Sequence, residues 1–363
     1  MPLSRHRAWI VLILLIASFL RLHDLPHVPP GMTHDEADHG LDAWGVVQGE
    51  RPIYFTVGYG REPLYDYSTA VLMTFMGPTF LAGRLTSVFF SLILIAGSYS
   101  LLRRAFGENV ALLSAAGLTL GSWPLMTARQ ALRSGALPAL LVVAVGVFWR
   151  GLLETRDWGL EIGDWRLGIG DWGLGIGQSL ISNLRYLFSG ALLGLTFYTY
   201  IPSRVLWLLF PGLAIYWWLQ GRRGVWRGTL LALGVAALVA LPLFSYLMAN
   251  PGVETRIGQL ALPLQQAAQG EFELLWRNAR SGLGIFTVAG DSQWRYNVAG
   301  KPLLSPIGGS LFYASVLYSA WRALSSLRGR RRGSDATAGH FLMLLWLALG
   351  LAPVLVTGRE LST

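Results

Sequence analysis

Residues 84–120 read RLTSVFFSLILIAGSYSLLRRAFGENVALLSAAGLTL, and this stretch decides the fold class. Two apolar runs lie on either side of the charged segment RRAFGEN. An apolar run approaching roughly 20 residues with few charges is typical of a helix that crosses a lipid bilayer. The stretch therefore predicts two membrane-spanning helices joined by a short charged turn.

The composition extends this prediction to the whole chain. Of the 363 residues, 53% are hydrophobic and 13% are charged, whereas about a quarter of an average soluble domain is charged. We predict an all-α, polytopic membrane protein with about nine transmembrane helices. The predicted spans are Ala8–Leu22, Leu85–Leu102, Val110–Met126, Ala136–Phe148, Tyr186–Ile201, Val205–Leu219, Thr229–Met248, Ile307–Trp321 and Phe341–Val356.

Basic residues orient the predicted helices. The formal net charge is +9, and among the Lys and Arg residues only Lys301 is lysine. Arginine pairs such as Arg103-Arg104 and Arg222-Arg223 fall between predicted spans, and basic loops mark the cytoplasmic side of a membrane. We therefore predict a multi-pass protein of the cell (plasma) membrane with a cytoplasmic N-terminus. Topology accounts for the positive charge, so no nucleic acid is predicted as a partner.

Two further features narrow the class. The chain has no cysteine, which excludes disulfides, thiol catalysis and thiolate metal sites. The first apolar segment resembles a signal peptide, but no small-residue cleavage site follows it, so we predict an uncleaved first span.

We predict a single transmembrane domain, 1–363, with two long extracytoplasmic loops. The first loop, 22–84, contains Leu64–Phe80, which we interpret as an interfacial or re-entrant helix. In the second loop, 250–304, the side chains of Phe272, Trp276 and Leu283 recur at helical spacing among charged residues. This pattern predicts an amphipathic helix that lies on the membrane or forms a lid packed on the protein.

Residues 157–177 repeat a seven-residue unit three times, as DWGLEIG, DWRLGIG and DWGLGIG. Glycine at every third or fourth position disfavours a stable helix. We interpret the segment as a non-catalytic cytoplasmic insertion of tandem-duplication origin.

The sequence THDEADHG, residues 33–40, supplies the first candidate for chemistry. Carboxylates are costly beside a membrane, and a carboxylate at Asp35 or Glu36 could act as a general base towards a hydroxyl group. The alternative is a solvated acidic loop or a helix N-cap, which suits Asp38 and Asp42 better. The neighbouring histidines match no strong metal-ligand spacing, so we predict no cofactor, and a divalent metal is not indicated.

Charged and aromatic residues at predicted outer ends of spans form the second candidate group. Guanidinium groups fixed at a membrane surface suit phosphate, because their planar fork matches phosphate oxygens. Headgroup contact, helix capping and an ordinary interfacial aromatic belt are the alternatives. The predicted substrate-binding residues are Arg61, Glu62, Arg84, Arg129, Arg133, Tyr198, Tyr200, Arg204, Asp291, Arg295 and Asn297.

Together these residues resemble the bacterial members of the protein O-mannosyltransferase and aminoarabinose-transferase superfamily, the GT-C membrane glycosyltransferases of family 39. The resemblance is carried by the DE pair after the first span, the charged-Pro-Leu segment that ends the first loop, residues 84–120, and Arg129 and Arg133. It covers most of residues 8–205. It implies a GT-C-like fold, a polyprenyl-phosphate sugar donor, and an inverting transfer to an acceptor outside the cytoplasm.

The resemblance also implies roles for single residues. Asp35 would take the acceptor's proton, Glu36 would support it, and Arg84, Arg129 and Arg133 would hold the lipid phosphate. Relatives often have Lys-Pro-Pro or His-Pro-Pro where this chain has Arg61-Glu62-Pro63. Relatives also usually continue with further helices, so the end at residue 363 predicts a truncated or divergent copy.

Two other function classes remain open at this stage. A transporter or flippase for lipid-linked saccharides would share the membrane helices, but coupled transport usually needs ionisable groups within the spans. A degenerate membrane protein would bind lipid without turnover. Release of free polyprenyl phosphate from a labelled donor would occur only with the enzyme.

Deleting Asp157–Gly177 is expected to leave expression and sugar transfer largely intact, because the repeat lies on the side opposite the predicted active site. Thermal unfolding and transfer assays on the purified deletion variant would check this. A variant that folds but is inactive would show that the repeat has a function.

Overall fold

The computed structural model describes residues 5–57, 60–158, 172–222, 224–254, 262–290, 298–328 and 334–356. Within these ranges the chain forms 15 α-helices and one 3-10 turn, Arg133–Gly135. The extended backbone in the same ranges is limited to an isolated bridge between Phe55 and Arg61. The prediction of an all-α chain is thus confirmed for the described residues.

The helices follow one another with short connections in most places. Their bounds are α1 Arg5–Leu22, α2 His34–Val47, α3 Leu64–Met76, α4 Phe80–Phe106, α5 Glu108–Leu120, α6 Ser122–Ala128, α7 Ala136–Trp158, α8 Trp172–Thr196, α9 Ser203–Leu206, α10 Leu209–Leu219, α11 Val225–Ala249, α12 Leu262–Ala268, α13 Glu273–Gly284, α14 Pro306–Arg328 and α15 Asp335–Val356.

Four described segments are long and apolar enough to cross a membrane: Phe80–Phe106, Arg133–Leu153, Val225–Ala249 and Asp335–Val356. The pair α5 and α6 becomes a fifth if it counts as one span. That pair was predicted as one straight span, but it bends by 60°, because Gly121 ends α5 and Pro124 follows within the next turn. The protein is therefore embedded in a membrane, while the count of nine spans stays a prediction.

The core lies between helices α4, α7, α8, α10, α11 and α15. Its centre is aromatic: the rings of Trp149 and Trp217 lie 5.1 Å apart, and the ring of Phe148 lies 4.6 Å from that of Phe210 and 5.9 Å from that of Tyr186. All five side chains are buried. Large rings from the three helices α7, α8 and α10 thus fix the positions of these helices relative to one another.

Helices α8 and α11 approach each other closely because small residues line the contact. A Cβ atom added at Gly190 would lie 2.3 Å from the carbonyl oxygen of Ala232. A Cβ at Gly194 would lie 2.9 Å from the carbonyl oxygen of Ala236. Close backbone approach through glycine is a common way to pack helices in a membrane, where burial of apolar surface drives no association.

Helix α4 joins the two ends of the bundle. At its start the backbone carbonyl of Gly83 accepts a hydrogen bond of 2.7 Å from Tyr65 of α3. Helices α2 and α3 therefore cover this end, which we call the loop end. Arg103 and Arg104 lie in the last turn of α4, about 30 Å away at a rise of about 1.5 Å per residue. We call that end the far end.

The two predicted interfacial helices are both present as helices. Helix α3 has 13 residues, which is too short for a span of about 20 residues, and Phe75 near its end is 83% exposed. Helix α13 packs on α15 through Asn278 and Gly282, while Trp276 on its apolar side is 67% exposed. Their contact with a bilayer stays a prediction.

The repeat is described only in part, since residues 159–171 lie outside the described ranges. Helix α8 begins at Trp172, so the last part of the third copy is helical, contrary to the expectation from its glycines. Extending an existing helix costs less than starting one, and this segment continues directly into the apolar part of α8.

Replacing Gly190 with alanine is expected to lower the stability of the protein by about 1–3 kcal/mol, because the new methyl group would collide with the backbone of α11. Gly234 in α11 is the matched control, since an added Cβ there meets nothing within 4 Å. Thermal unfolding in a mild detergent measures both. If Gly190→Ala were as stable as Gly234→Ala, the close contact between α8 and α11 would be wrong.

Candidate functional site

Two buried arginines hold the loop that follows α1. The guanidinium group of Arg84 is 0% exposed, and Arg129 is also buried. Each donates hydrogen bonds to several backbone carbonyls of this loop. Arg84 donates to Leu25, Pro29 and Gly31, and Arg129 donates to Leu20, His23 and Val28. Backbone carbonyls in a loop have no helical partners, so the two side chains fix the loop's path.

Glu36 completes this arrangement from the first turn of α2. Its carboxylate accepts hydrogen bonds from the N–H of Thr33 (2.9 Å), the N–H of Ala131 (3.0 Å) and Nε of Arg84 (3.1 Å). Thr33 in turn caps the helix, so the pair forms a capping box. Burial raises the pKa of Glu36, but the hydrogen bonds from Thr33, Ala131 and Arg84 together hold it below its usual range.

The acidic face of α2 points elsewhere. Asp35, Asp38 and Asp42 recur at intervals of three and four residues, which places them on one side of the helix. Arg61 faces this side, with Nη2 at 3.6 Å from Asp38 and Nε at 3.0 Å from Asp42. Asp35 lies one turn nearer the helix start, is half-buried, and benefits from the positive end of the helix dipole.

Asp42 is the acid of this face whose ionisation is most affected. Burial raises its pKa to about 6, with a further contribution from the negative charge of Asp66, while the positive charge of Arg61 opposes the shift. A carboxyl group that holds its proton up to about pH 6 is typical of functional sites rather than of solvated surfaces.

A buried histidine–carboxylate pair connects α2 to α3. Nδ1 of His39 lies 2.6 Å from Oδ1 of Asp66, and both side chains are buried. The imidazole ring also makes an edge contact with the ring of Tyr65. These contacts join α2 to α3 and so hold the acidic face at a fixed angle.

Glu62 lies at the centre of a second group of charges. Its side chain is 0% exposed; it lies 2.7 Å from Nη1 of Arg133 and 3.9 Å from Nη2 of Arg204. Burial raises the pKa of Glu62, and the charge of Arg133 opposes the shift. The guanidinium group of Arg133 also stacks over the ring of Tyr200, at 5.3 Å. The ion pair between Glu62 and Arg133 thus joins the first loop to the start of α7.

The second loop also contacts the charged group around Glu62. Arg204 makes a two-pronged ion pair with Glu254, and Tyr54 is buried among these charged groups, where burial raises its pKa. Gly60 has a φ of +82°, and a Cβ there would lie 2.7 Å from the carbonyl oxygen of Val253. The two loops therefore pack closely at a position that only glycine fits.

The dipeptide Arg61-Glu62 joins the two groups. Arg61 is anchored by reciprocal backbone hydrogen bonds with Phe55, of 2.9 and 3.0 Å. From there Arg61 faces the acids of α2, and its neighbour Glu62 faces Arg133. The segment Arg61-Glu62 thus contacts the acidic face of α2 through Arg61 and the arginine Arg133 through Glu62. This arrangement can place a proton acceptor and a phosphate-binding cation on the same small molecule.

The predicted site residues fall into three sets. Asp35, Arg61, Glu62, Arg133, Tyr200 and Arg204 lie in or beside the two groups. The predicted phosphate ligands Arg84 and Arg129 donate to loop carbonyls, and Arg84 and two backbone N–H groups donate to Glu36, so the roles of these three residues in binding and catalysis stay predictions. The hydroxyl of Tyr198 donates to the carbonyl of Val239 at 2.9 Å, away from the site. Asp291, Arg295 and Asn297 lie outside the described residues.

Several residues of the site were not predicted as such. Tyr54 and Glu254 lie in loops without periodicity, so the sequence carries no signal for them. Asp38 and Asp42 were interpreted as solvated, although their spacing from Asp35 is helical.

A metal site is not evident in the part of the chain that the structure describes. No group of three or more His, Asp or Glu side chains there is placed to hold a metal ion. On the acidic face of α2, Asp38 and Asp42 instead form ion pairs with Arg61.

The fold is similar to those of two solved proteins, AglB and ArnT. The archaeal oligosaccharyltransferase AglB from Archaeoglobus fulgidus, in complex with an inhibitory peptide and a dolichol-phosphate, superposes with a TM-score of 0.60 at 14% identity, over 97% of this chain and 47% of that one. Its apo form gives a TM-score of 0.55 at 15% identity, over 96% and 50% of the two chains. This chain thus spans about half the length of AglB.

ArnT from Cupriavidus metallidurans bound to undecaprenyl phosphate has the same fold. It superposes with a TM-score of 0.50 at 17% identity, over 96% of this chain and 74% of that one. No protein-family model matches the sequence, and no curated protein matches it. Because these identities are low, the comparisons show the fold alone.

The pKa of Asp42 makes stability depend on pH. Between about pH 4 and 6 the folded state keeps a proton that the unfolded state releases, so the free energy of unfolding falls as the pH rises. Asp42→Asn has no such proton. The variant should therefore gain about 1–3 kcal/mol relative to wild type between about pH 4 and 7. Unfolding curves at several pH values measure this, and a difference that stays constant with pH would contradict it.

Proposed function

We propose that the protein is a membrane glycosyltransferase that transfers a sugar from a polyprenyl-phosphate donor to an extracytoplasmic acceptor. The observation that carries the proposal is the segment Arg61-Glu62, which holds the acidic face of α2 beside Arg133 and Arg204. An acidic face next to arginines suits a displacement reaction. A carboxylate acts as the base that activates the acceptor, and the arginines stabilise the phosphate that leaves. The fold supports the same class, since AglB and ArnT are each bound to a polyprenyl-type phosphate.

The reaction would be one in-line step with inversion at the anomeric carbon. The acceptor's oxygen or nitrogen forms a bond to this carbon, and its proton passes to the carboxylate of Asp35. The bond from the anomeric carbon to the phosphate oxygen breaks, and the polyprenyl phosphate leaves with the electron pair. Guanidinium groups stabilise the negative charge that develops on the leaving phosphate.

Arg133 is the cation best placed to hold that phosphate. Among the described residues its ion pair is with Glu62, through Nη1, and 10% of its side chain is exposed. Arg204 is already held in two places by Glu254. Arg84 and Arg129 are occupied by the loop, so we assign them the role of holding α2 and not the role of binding the donor.

The placement in the membrane is part of the proposal. We propose nine spans, a cytoplasmic N-terminus, and a loop end that faces away from the cytoplasm in the cell membrane. The residue pattern around Asp35 and Arg61 favours family 39 among GT-C enzymes, with a hexosyl or pentosyl group as the transferred sugar.

A lipid-linked-saccharide flippase is less well supported. The three spans α4, α7 and α11 contain no Asp or Glu in the segments Phe80–Phe106, Arg133–Leu153 and Val225–Ala249. Coupled transport usually places such groups near the middle of the membrane. The buried acids Glu36, Glu62 and Asp66 lie instead at the loop end. A non-catalytic protein would keep this geometry but would show no turnover.

Replacing Asp35 with asparagine is expected to lower transfer by at least about 100-fold, because the base is lost. Thermal stability should stay near that of the wild type, since the side chain is half-buried on an accessible face. The assay follows release of free polyprenyl phosphate from polyprenyl-phosphate hexoses and pentoses that carry the radiolabel on the polyprenyl phosphate. Glu271→Gln, which changes an exposed acid outside the site, is the matched control and should keep full activity.

Glu36→Gln separates support from catalysis. The Glu36→Gln variant should have a free energy of unfolding about 1–3 kcal/mol lower than wild type, because Arg84 loses its charged partner in a buried place.

Normal turnover by Asp35→Asn would place the base elsewhere. No release by the wild type from any donor of the set would favour a non-catalytic protein.

A further inference from the structure

Two buried polar groups beside the arginines of the site make fewer hydrogen bonds than their chemistry allows. Tyr54 is 3% exposed, and its hydroxyl group forms no hydrogen bond with the residues that the structure describes. Glu62 is 0% exposed, and its Oε1 has no hydrogen-bond partner in the same part of the chain. Buried polar groups without a hydrogen bond are costly and uncommon, so both need an explanation.

The two groups lie in the same contact between the first and second loops. A Cβ added at Gly60 would lie 2.5 Å from the hydroxyl oxygen of Tyr54, so this hydroxyl lies against the backbone two residues before Glu62. Burial raises the pKa of Tyr54, and the negative charges of Glu62 and Glu254 raise it further, as expected when a phenol lies near carboxylates.

The two carboxylate oxygens of Glu62 have different surroundings. Oε2 accepts a hydrogen bond of 2.7 Å from Nη1 of Arg133, the cation to which we assign the donor's phosphate. Oε1 lies 3.9 Å from Nη2 of Arg204, which is beyond hydrogen-bond distance. Because one carboxyl group carries both oxygens, a ligand group bound at Oε1 would be next to a phosphate bound at Arg133.

The chemistry of the two atoms favours a hydroxyl group as their ligand. The phenol of Tyr54 can donate a hydrogen bond, whereas a carboxylate oxygen of Glu62 only accepts one. A group that satisfies both must accept and donate, as a sugar hydroxyl does. A phosphate without a proton cannot donate, and its charge would be repelled by Glu62. An ammonium group cannot accept.

The neighbouring Arg133 indicates which hydroxyl this is. In the proposed donor the phosphate is bonded to the anomeric carbon, so the hydroxyl on the adjacent ring carbon, the 2-hydroxyl, is the sugar hydroxyl nearest to the phosphate. In glycoside hydrolysis, hydrogen bonds to the 2-hydroxyl strengthen in the transition state. A contact there would therefore contribute to both sugar selection and rate.

We propose that Tyr54 and Glu62 bind the 2-hydroxyl of the transferred sugar, with Tyr54 donating to its oxygen and Oε1 of Glu62 accepting a hydrogen bond from it. The pair thereby selects donors that carry this hydroxyl. The inference rests on the proposed function for the identity of the donor. It depends neither on which carboxylate is the base nor on turnover.

Donor binding by the purified full chain in detergent tests the pair. The donors are polyprenyl-phosphate hexoses and pentoses, each compared with its 2-deoxy analogue. The rise in unfolding temperature with donor concentration measures binding, and release of labelled polyprenyl phosphate measures turnover. Wild type should bind the hydroxylated member of at least one pair about tenfold more tightly than the 2-deoxy member.

Tyr54→Phe should bind both members of that pair equally. Without donor it should unfold at the wild-type temperature, because the ring stays in place and the hydroxyl has no partner to lose. Tyr318→Phe is the matched control, since Tyr318 is a 49% exposed tyrosine of α14, and it should keep the wild-type preference.

Three results would overturn the proposal. Equal binding of both members of every pair by wild type would mean that water, and not a sugar hydroxyl, satisfies the two groups. A preference that persists in Tyr54→Phe would exclude Tyr54 from the contact. A lower unfolding temperature of Tyr54→Phe without donor would show that its hydroxyl already has a partner in the protein.

Binding and turnover together separate this inference from the proposed function. Selective binding that Tyr54→Phe loses, without release of polyprenyl phosphate, would contradict the transferase and support the sugar contact. Release by wild type with equal binding of both members would support the transferase and contradict the contact. No binding of any donor would overturn both.

Discussion

The buried carboxylate of Glu36 is the constraint on which the site depends. It binds the N-cap of α2, a backbone N–H of the segment before α7, and the guanidinium group of Arg84 in α4. Arg84 passes the connection on to the loop after α1. Three parts of the chain that are far apart in sequence, residues 25–36, Arg84 and Ala131, therefore meet at one ion pair. Breaking such a pair by removing one partner leaves a buried charge, which is strongly destabilising.

The ion pair of Glu36 and Arg84 stabilises this end of the fold. The fold can therefore tolerate the buried acids Asp42 and Glu62, which lower its stability. Asp42 keeps its proton up to about pH 6 because it is buried beside other acids, and Glu62 is fully buried within an ion-pair network. Neither arrangement would be selected for folding alone, since ion pairs in low dielectric gain little over apolar packing. The arrangement makes sense if a charged substrate replaces some of these contacts.

Much of the fold was predictable because local patterns decide it. Apolar runs predicted helical regions, although the predicted span Val205–Leu219 is divided between α9 and α10 at Trp207-Leu208. Spacing alone predicted the helix around Trp276. The 60° bend after Gly121 was not predicted, because α5 and α6 together form one continuous apolar run.

The candidate site was predictable in part. The pair Asp35-Glu36 marked the right turn of α2, but the division of roles between the two depends on which side of the helix meets Arg84. The spacing from Thr33 to Glu36 is that of a capping box, and this was the available sign that Glu36 is structural. The sequence does not show which arginines hold loops and which are available to a ligand, because Arg84 and Arg133 both follow loops. Only the path of the loop after α1 shows that its carbonyls accept hydrogen bonds from Arg84.

The central claim is that Asp35 on the acidic face of α2 and Arg133 act in one transfer reaction, Asp35 on the acceptor and Arg133 on the phosphate of the donor. A cryo-electron microscopy structure in lipid nanodiscs with added undecaprenyl phosphate tests it most directly. The account predicts phosphate oxygens within about 3 Å of the guanidinium group of Arg133, on the side that also faces Asp35. A phosphate bound elsewhere, with Arg133 still paired to Glu62, would contradict it.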